Sequence, residues 1–207
     1  GNKVDRRIGF AQRQEDVIPI TTALVNELSV GDRLVLIVLA VPGIVTTEGM
    51  ILTAVTTGWR GFAIGAGLQA ALEKPVITEN ATALAAYGEY VVRREAIRNM
   101  LYIRFDAAVG AGIVNGGRLY RGIRGSAVEF GHMSDSRWTT LCKCGRRGCL
   151  ETRFSRQAVY AALVQSVPLS RLPVHPNEHG VFEWLIEHER VSDQVLLFIK
   201  RLAAELA

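Results

Sequence analysis

All three cysteines of the chain, Cys142, Cys144 and Cys149, fall within eight residues in a Cys-x-Cys-x4-Cys pattern that includes Gly145 and Gly148. Thiolates are strong ligands for a borderline-soft cation, and the glycines let the backbone fold tightly enough to aim three of them at one ion. Zinc is the metal this set predicts, and a closed tetrahedral site needs a fourth ligand. His132, ten residues before Cys142 and directly after Gly131, is the nearest of four histidines; His175, His179 and His188 lie farther along. On the residues alone the fourth ligand stays open among them. An odd number of clustered cysteines argues against the disulfide framework of a secreted protein and suits a reducing compartment.

The elements that must position this cluster read as alternating helix and strand. Thr21 to Leu28 carries Leu24, Val25 and Leu28 at helical spacing, with Gly31 as a C-cap. Leu34 to Val41 is continuously apolar and stops at Pro42-Gly43, which predicts a strand buried on both faces of a mostly parallel sheet. Thr46 to Thr57 reads as irregular or hairpin structure, Leu68 to Lys74 as helix, and Pro75 to Thr78 as a short strand. Asn80 then stands at a strand-to-helix junction before the Ala-rich helix Thr82 to Glu95, and Met100 to Phe105 returns to strand. Asn115-Gly116-Gly117 between two apolar pairs predicts a hairpin. From Thr152 the chain turns helical, interrupted over Pro173 to Gly180, and ends in an amphipathic helix from Ser192 through Leu206. The class is α/β with antiparallel strands beside parallel ones.

A length of 207 residues at 49% hydrophobic and 21% charged suits one large domain or two lobes around a cleft. The longest apolar run, Leu34 to Val41, is far shorter than the roughly 20 residues of a membrane span, and no secretory leader opens the chain, so a cytoplasmic protein without a membrane partner is expected. The net charge of +4 is spread among 20 carboxylates. Arg118, Arg121 and Arg124, like Lys143, Arg146 and Arg147, read as solvated surface or a subunit contact rather than a phosphate track. Singly, Asn80 is as well explained as a turn former, Glu129 as a solvated carboxylate and Glu151 as a helix-start carboxylate.

The segment Val128-Glu129-Phe130-Gly131-His132, followed by Cys142 through Glu151, resembles the signature of the ROK family (repressor, open reading frame, kinase). The likeness extends to Pro42-Gly43, Glu79-Asn80, the stretch Val109 to Gly112 and the stretch Gly117 to Gly122. It implies an actin-like, ribonuclease-H-like two-lobed α/β fold with mixed sheets, of which this is a partial chain: residues 1–95 belong to a first lobe, and residues 96–207 form a second lobe carrying the zinc knuckle. It makes His132 the fourth ligand beside Cys142, Cys144 and Cys149, around a structural zinc. It further implies a hexose or N-acetylhexosamine effector, phosphorylated or not, held by Asn80, Glu129, His132 and Glu151, in a homodimer or homotetramer.

Kinases of that family place an aspartate directly after the Asn, as the base that takes the proton of the attacking sugar hydroxyl. This sequence has Ala81 there, and loss of a general base costs about 100- to 10,000-fold in rate. Such kinases also carry Gly-x-Gly before the Val-Gly-Ala-Gly stretch, where Asp106-Ala107-Ala108 stands here and would set a negative charge against a triphosphate. Asp106 and Ser126-Ala127-Val128 look more like the repressor branch. The resemblance thus implies the sugar-binding effector domain of a transcriptional regulator with no catalytic residue, meeting DNA through an N-terminal domain outside this chain. The alternative is an ATP-dependent kinase of a hexose or N-acetylhexosamine.

Overall fold

A computed structural model describes residues 13–28, 34–55, 57–94, 96–166, 181–188, 200–201 and 203–205. The chain divides into two compact units, one of Gly1–Leu101 with Gly112–Val128 and the other of Tyr102–Ala111 with Glu129–Ala207.

In unit one a 3-10 turn, Gln14–Asp16, leads into helix α1, Val17–Glu27. The helix begins four residues before the expected Thr21 because Pro19 falls in its first turn, where the missing N–H has no helical acceptor to lose. Gly31 lies outside the described residues. Helix α1 packs against α2, Ile64–Leu72, which starts four residues earlier than its apolar pattern suggests and ends at Glu73 in the left-handed region (φ 50°). Val17, Val41, Val45, Ile51, Ala54, Phe62, Ile64 and Leu68 form the core of this unit.

Strand β1, Ile37–Val41, pairs in parallel with a strand whose register sets Val41 opposite Asn80. Between them lie β2, Ile44–Val45, β3, Ile51–Ala54, and β4, Trp59–Phe62, an antiparallel sheet that gives the loosely read stretch after Thr46 a definite hairpin form. The Thr46 hydroxyl shapes its first turn by accepting the N–H groups of Glu48 and Met50, each at 3.3 Å. The parallel partner of β1 is β5, Val76–Asn80, and these two strands make a sheet of their own. Burial of β1 on both faces is not observed: Val38 and Ile77, directly opposed in the register, are 48% and 49% exposed. Side chains alternate between faces along a strand. The core covers the face bearing Leu39, Val41 and Val76 and leaves the other partly open.

Helix α3, Ala81–Arg93, follows β5 without a break. It lies close to Gly112, where a Cβ would come within 2.5 Å of the Ala86 methyl. A third sheet runs in the order β6, Met100–Phe105, β7, Val109–Asn115, and β8, Arg118–Tyr120. The last two are joined through Gly116 and Gly117 at φ 57° and 82°, the two-residue hairpin that Asn-Gly-Gly predicts. Residue 102 in β6 and residue 112 in β7 mark where the chain passes from one unit to the other.

Unit two carries the short helix α4, Glu151–Phe154, then α5, Arg156–Ser166, and α6, Val181–His188. Val159 and Leu163 pack on Val181 and Leu185. Phe154 is 1% exposed and meets Trp138 and Phe105 edge-on, with ring centroids at 5.6 and 6.1 Å. The interruption expected over Pro173 to Gly180 lies outside the described residues, as does most of the predicted helix from Ser192; residues 200–201 and 203–205 are helical. No helix among the described residues is long and apolar enough to cross a membrane.

Candidate metal centre and ligand site

The knuckle is built from tight backbone turns. Cys142 N–H donates to the Arg146 carbonyl at 2.7 Å, and Gly145 N–H returns to the Cys142 carbonyl at 2.9 Å. Gly148 (φ 74°) sits so close to the Asp135 and Trp138 carbonyls that no Cβ fits. This contact seats Cys149 beside the segment after His132, where Leu150 N–H reaches the Met133 carbonyl at 2.9 Å. On the other side His132 closes a 3-10 turn, Phe130–His132, whose buried Gly131 lies against the Val109 carbonyl with no room for a side chain.

These turns bring His132, Cys142, Cys144 and Cys149 together, with their ligand atoms all within 4.8 Å of one another. Cys142 Sγ is 3.7 Å from His132 Nδ1, and Cys144 Sγ is 3.7 Å from Cys149 Sγ. A disulfide would need about 2.05 Å between sulfurs. Four ligands set tetrahedrally about a zinc ion, with Zn–S near 2.3 Å, would place their sulfurs about 3.8 Å apart. The donor set and its spacing therefore fit such an ion. Burial, followed by hydrogen bonds to Cys144 and Cys142, pushes the Cys149 thiol up to about 12. A zinc ion bound there would reverse that preference, because a coordinated thiol is deprotonated outright. His175 and His179 lie outside the described residues, as does the side chain of His188.

With His132 Nδ1 toward the sulfurs, its Nε2 faces the other way, 3.9 Å from Glu129 Oε2. Glu151 opens α4, and its Oε2 accepts the Val109 N–H at 2.6 Å. Burial raises the Glu151 carboxyl above its ordinary range, opposed by that hydrogen bond and by the nearby His132. Unit two thus holds Glu129 and His132 on the turn around Gly131 and Glu151 at the start of α4, and the bare α-carbon of Gly131 leaves room for the Glu151 carboxylate.

Asn80, in unit one, is the N-cap of α3. Its Oδ1 accepts the N–H groups of Thr82 and Ala83 at 2.9 and 3.0 Å, while Nδ2 donates to the Gly43 carbonyl at 2.8 Å. An amide nitrogen carries two hydrogens, and among the described residues one of them has a partner. Gly43 (φ 84°) is packed against Thr53 and Ala54 too closely for a side chain, which explains the Pro-Gly turn after β1. Ala81 is the first residue of α3.

Two pairings escaped sequence reasoning. Glu79 is buried and accepts the Asn80 N–H at 2.9 Å on Oε1 and the Arg121 guanidinium on Oε2, so Arg121 is one half of an ion pair rather than a member of a free basic patch. Asp106 is held by Arg104 and Arg156, and its N–H donates to the Ala108 carbonyl at 3.1 Å. Its charge is offset inside the protein instead of standing open. No local spacing could have announced pairs that lie 42 and 50 residues apart.

The sequence profile of the ROK family matches residues 11–207. The chain belongs to the ROK family. Among curated relatives, a glucokinase from Halalkalibacterium halodurans is 34% identical over 69% of this chain and 45% of its own length. A xylose repressor from Bacillus subtilis is 31% identical over 60% of this chain and 33% of its own. The chain thus spans half or less of these relatives. A solved ROK transcriptional regulator, a homologue of the E. coli MLC protein, superimposes with a TM-score of 0.73 at 25% identity, covering 91% of this chain and 50% of that one. The chain has the α/β, actin-like fold that the sequence resemblance implied. Both repressors and sugar kinases stand among its relatives.

Proposed function

We propose that this chain is the sugar-binding effector portion of a ROK transcriptional regulator and that it does not phosphorylate sugar. The observation that carries the reading is Ala81, which starts α3 directly after the capping Asn80. A methyl group cannot take a proton from an attacking hydroxyl. The turn between β6 and β7 supports the same reading, because the Asp106 N–H is spent on the Ala108 carbonyl and its carboxylate already occupies Arg104 and Arg156. That N–H and those two cations are therefore already engaged within the protein, and the carboxylate stands where a phosphate would carry like charge.

Cys142, Cys144, Cys149 and His132 through Nδ1 would hold zinc, for which their spacing is suited. Bound there, zinc would cross-link the knuckle and fix the histidine tautomer. His132 Nε2 then carries a proton it can donate to a sugar hydroxyl, and the Glu129 and Glu151 carboxylates accept from neighbouring hydroxyls, at about 1.5–3 kcal/mol per charge-assisted bond. Asn80 adds the remaining Nδ2 hydrogen. The effector is a hexose, pentose or N-acetylhexosamine, phosphorylated or not, and DNA is met by a domain outside this chain. A homodimer or homotetramer links sugar occupancy to operator binding.

The alternative, a sugar kinase, is favoured by the 34% identity to a glucokinase. The two are separated in the full-length protein by titrating D-glucose and D-xylose while following ATP consumption and retention of operator DNA. Sugar-sensitive DNA binding without ATP turnover is expected; sugar-dependent ATP consumption would refute the regulator reading.

A further inference from the structure

Glu79 is only 6% exposed at the end of β5, yet it is a carboxylate. A buried charge of this kind persists where it is paired and hydrogen-bonded. Both of its oxygens are engaged: Oε1 by the backbone N–H of Asn80 at 2.9 Å and Oε2 by the Arg121 Nε–H. Arg121 begins the strap that runs to Val128, the last residue of unit one before Glu129 opens the next segment of unit two. The strap is shaped so that it cannot readily slide. Ala127 N–H closes on the Arg121 carbonyl at 3.2 Å, and Gly125 (φ 72°) lies against the Val45 carbonyl with no room for a Cβ. One carboxylate therefore grips the backbone of Asn80 on one oxygen and the origin of the strap leading to Glu129 on the other.

We propose that the Glu79–Arg121 pair is a positioning device for the sugar site, fixing Asn80 and the strap to one another so that a sugar engaging Asn80 is reported to the segment entering unit two. The inference rests on the sugar-binding reading and adds to it the residues that couple its parts. The coupling is physical and contiguous: shifting Asn80 moves the acceptor Oε1, and the same rigid carboxylate carries Arg121 with it.

The test is calorimetric titration of the full-length protein with D-glucose and D-xylose, paired with hydrogen exchange at residues 80–83 and 121–128. Glu79→Gln keeps the shape and the Oε1 acceptor but removes the charge; Arg121→Met keeps the stem alone. Each is expected to weaken sugar binding about tenfold and to abolish the protection that sugar confers on the strap in the wild type. Arg124→Met, on the same strap with its side chain exposed, is expected to match the wild type. Arg121→Lys keeps the cation without the planar donor, should fall between, and carries the test if Arg121→Met does not fold. Lowered thermal stability with unchanged sugar affinity would make the pair merely structural and overturn the proposal, as would sugar protection confined to residues 80–83. Failure of the wild type to bind D-glucose, D-xylose or, in the same titration, any hexose or N-acetylhexosamine, free or phosphorylated, would defeat the sugar reading itself, and this inference with it.

Discussion

Replacing Asn80 by Ala removes three hydrogen bonds at once. Two of them, from Thr82 and Ala83 N–H to Oδ1 at 2.9 and 3.0 Å, are the N-cap of α3, a feature whose loss to Ala typically costs about 1 kcal/mol. The third, from Nδ2 to the Gly43 carbonyl at 2.8 Å, ties α3 to the turn after β1 and is worth about another 1 kcal/mol. The sum, about 2 kcal/mol, corresponds to a fall in melting temperature of roughly 4–8 °C for a chain of this size. Asn80→Asp should cost only about half as much, because the carboxylate still caps and is favoured at a helix N-terminus, while its second oxygen has no proton for Gly43. Asn80→Ser keeps the cap but not the reach to Gly43 and should behave like Asp. Urea denaturation followed by far-ultraviolet circular dichroism reads all three. An Ala variant within about 0.5 kcal/mol of wild type, or a Ser variant as unstable as Ala, would show that the cap does not hold this junction together.

Cys144→Ser should leave the purified protein without stoichiometric zinc and loosen unit two; elemental analysis showing undiminished metal would contradict the four-ligand set. Because the Cys149 thiol stands at about 12 without a cation beside it, zinc must displace protons to bind, so affinity should rise with pH. A chelator competition run at about pH 6 and about pH 8 is expected to show weaker retention at the lower value, and a flat profile would argue against thiolate ligation. Ala81→Asp alone should not confer sugar-dependent ATP turnover, since Asp106 and its arginines still occupy the β6–β7 turn. Robust turnover in that single variant would show that the base was the only element lacking.

Much of the local architecture could be read from local chemistry. Strand β6 and the Asn-Gly-Gly hairpin occupy the residues their composition predicts, since aromatic and β-branched strand formers and left-handed turn residues act within a few positions of themselves. The gathering of the three cysteines is legible for a related reason, the glycines that fold the knuckle being interleaved with them, whereas His132 as their companion comes from the family resemblance and not from spacing. What stayed hidden depends on distant partners. The open face of β1 is a matter of which elements cover a sheet, and an apolar run alone cannot say that. Glu79, Arg121 and Asp106 look like ordinary surface charges until the fold brings their partners across 42 and 50 residues. Asn80 was recognised as a junction, but its double engagement with the helix and with Gly43 needed the parallel register of β1 and β5.

The passage of the backbone between the units at residues 101, 111 and 128 has a bearing on biosynthesis. A ribosome emits about 5–20 residues each second, and domains tend to fold as soon as they are whole. The first unit cannot be whole until residue 128 has left the exit tunnel, because its closing segment, 112–128, is translated after the opening segment of its neighbour. The helix α3, which rests on Gly112 in that late segment, must wait with one side unsupported. A simple truncation before residue 112 should consequently yield an insoluble product, whereas a fusion that splices residue 101 to residue 112 through a short linker should stay in solution.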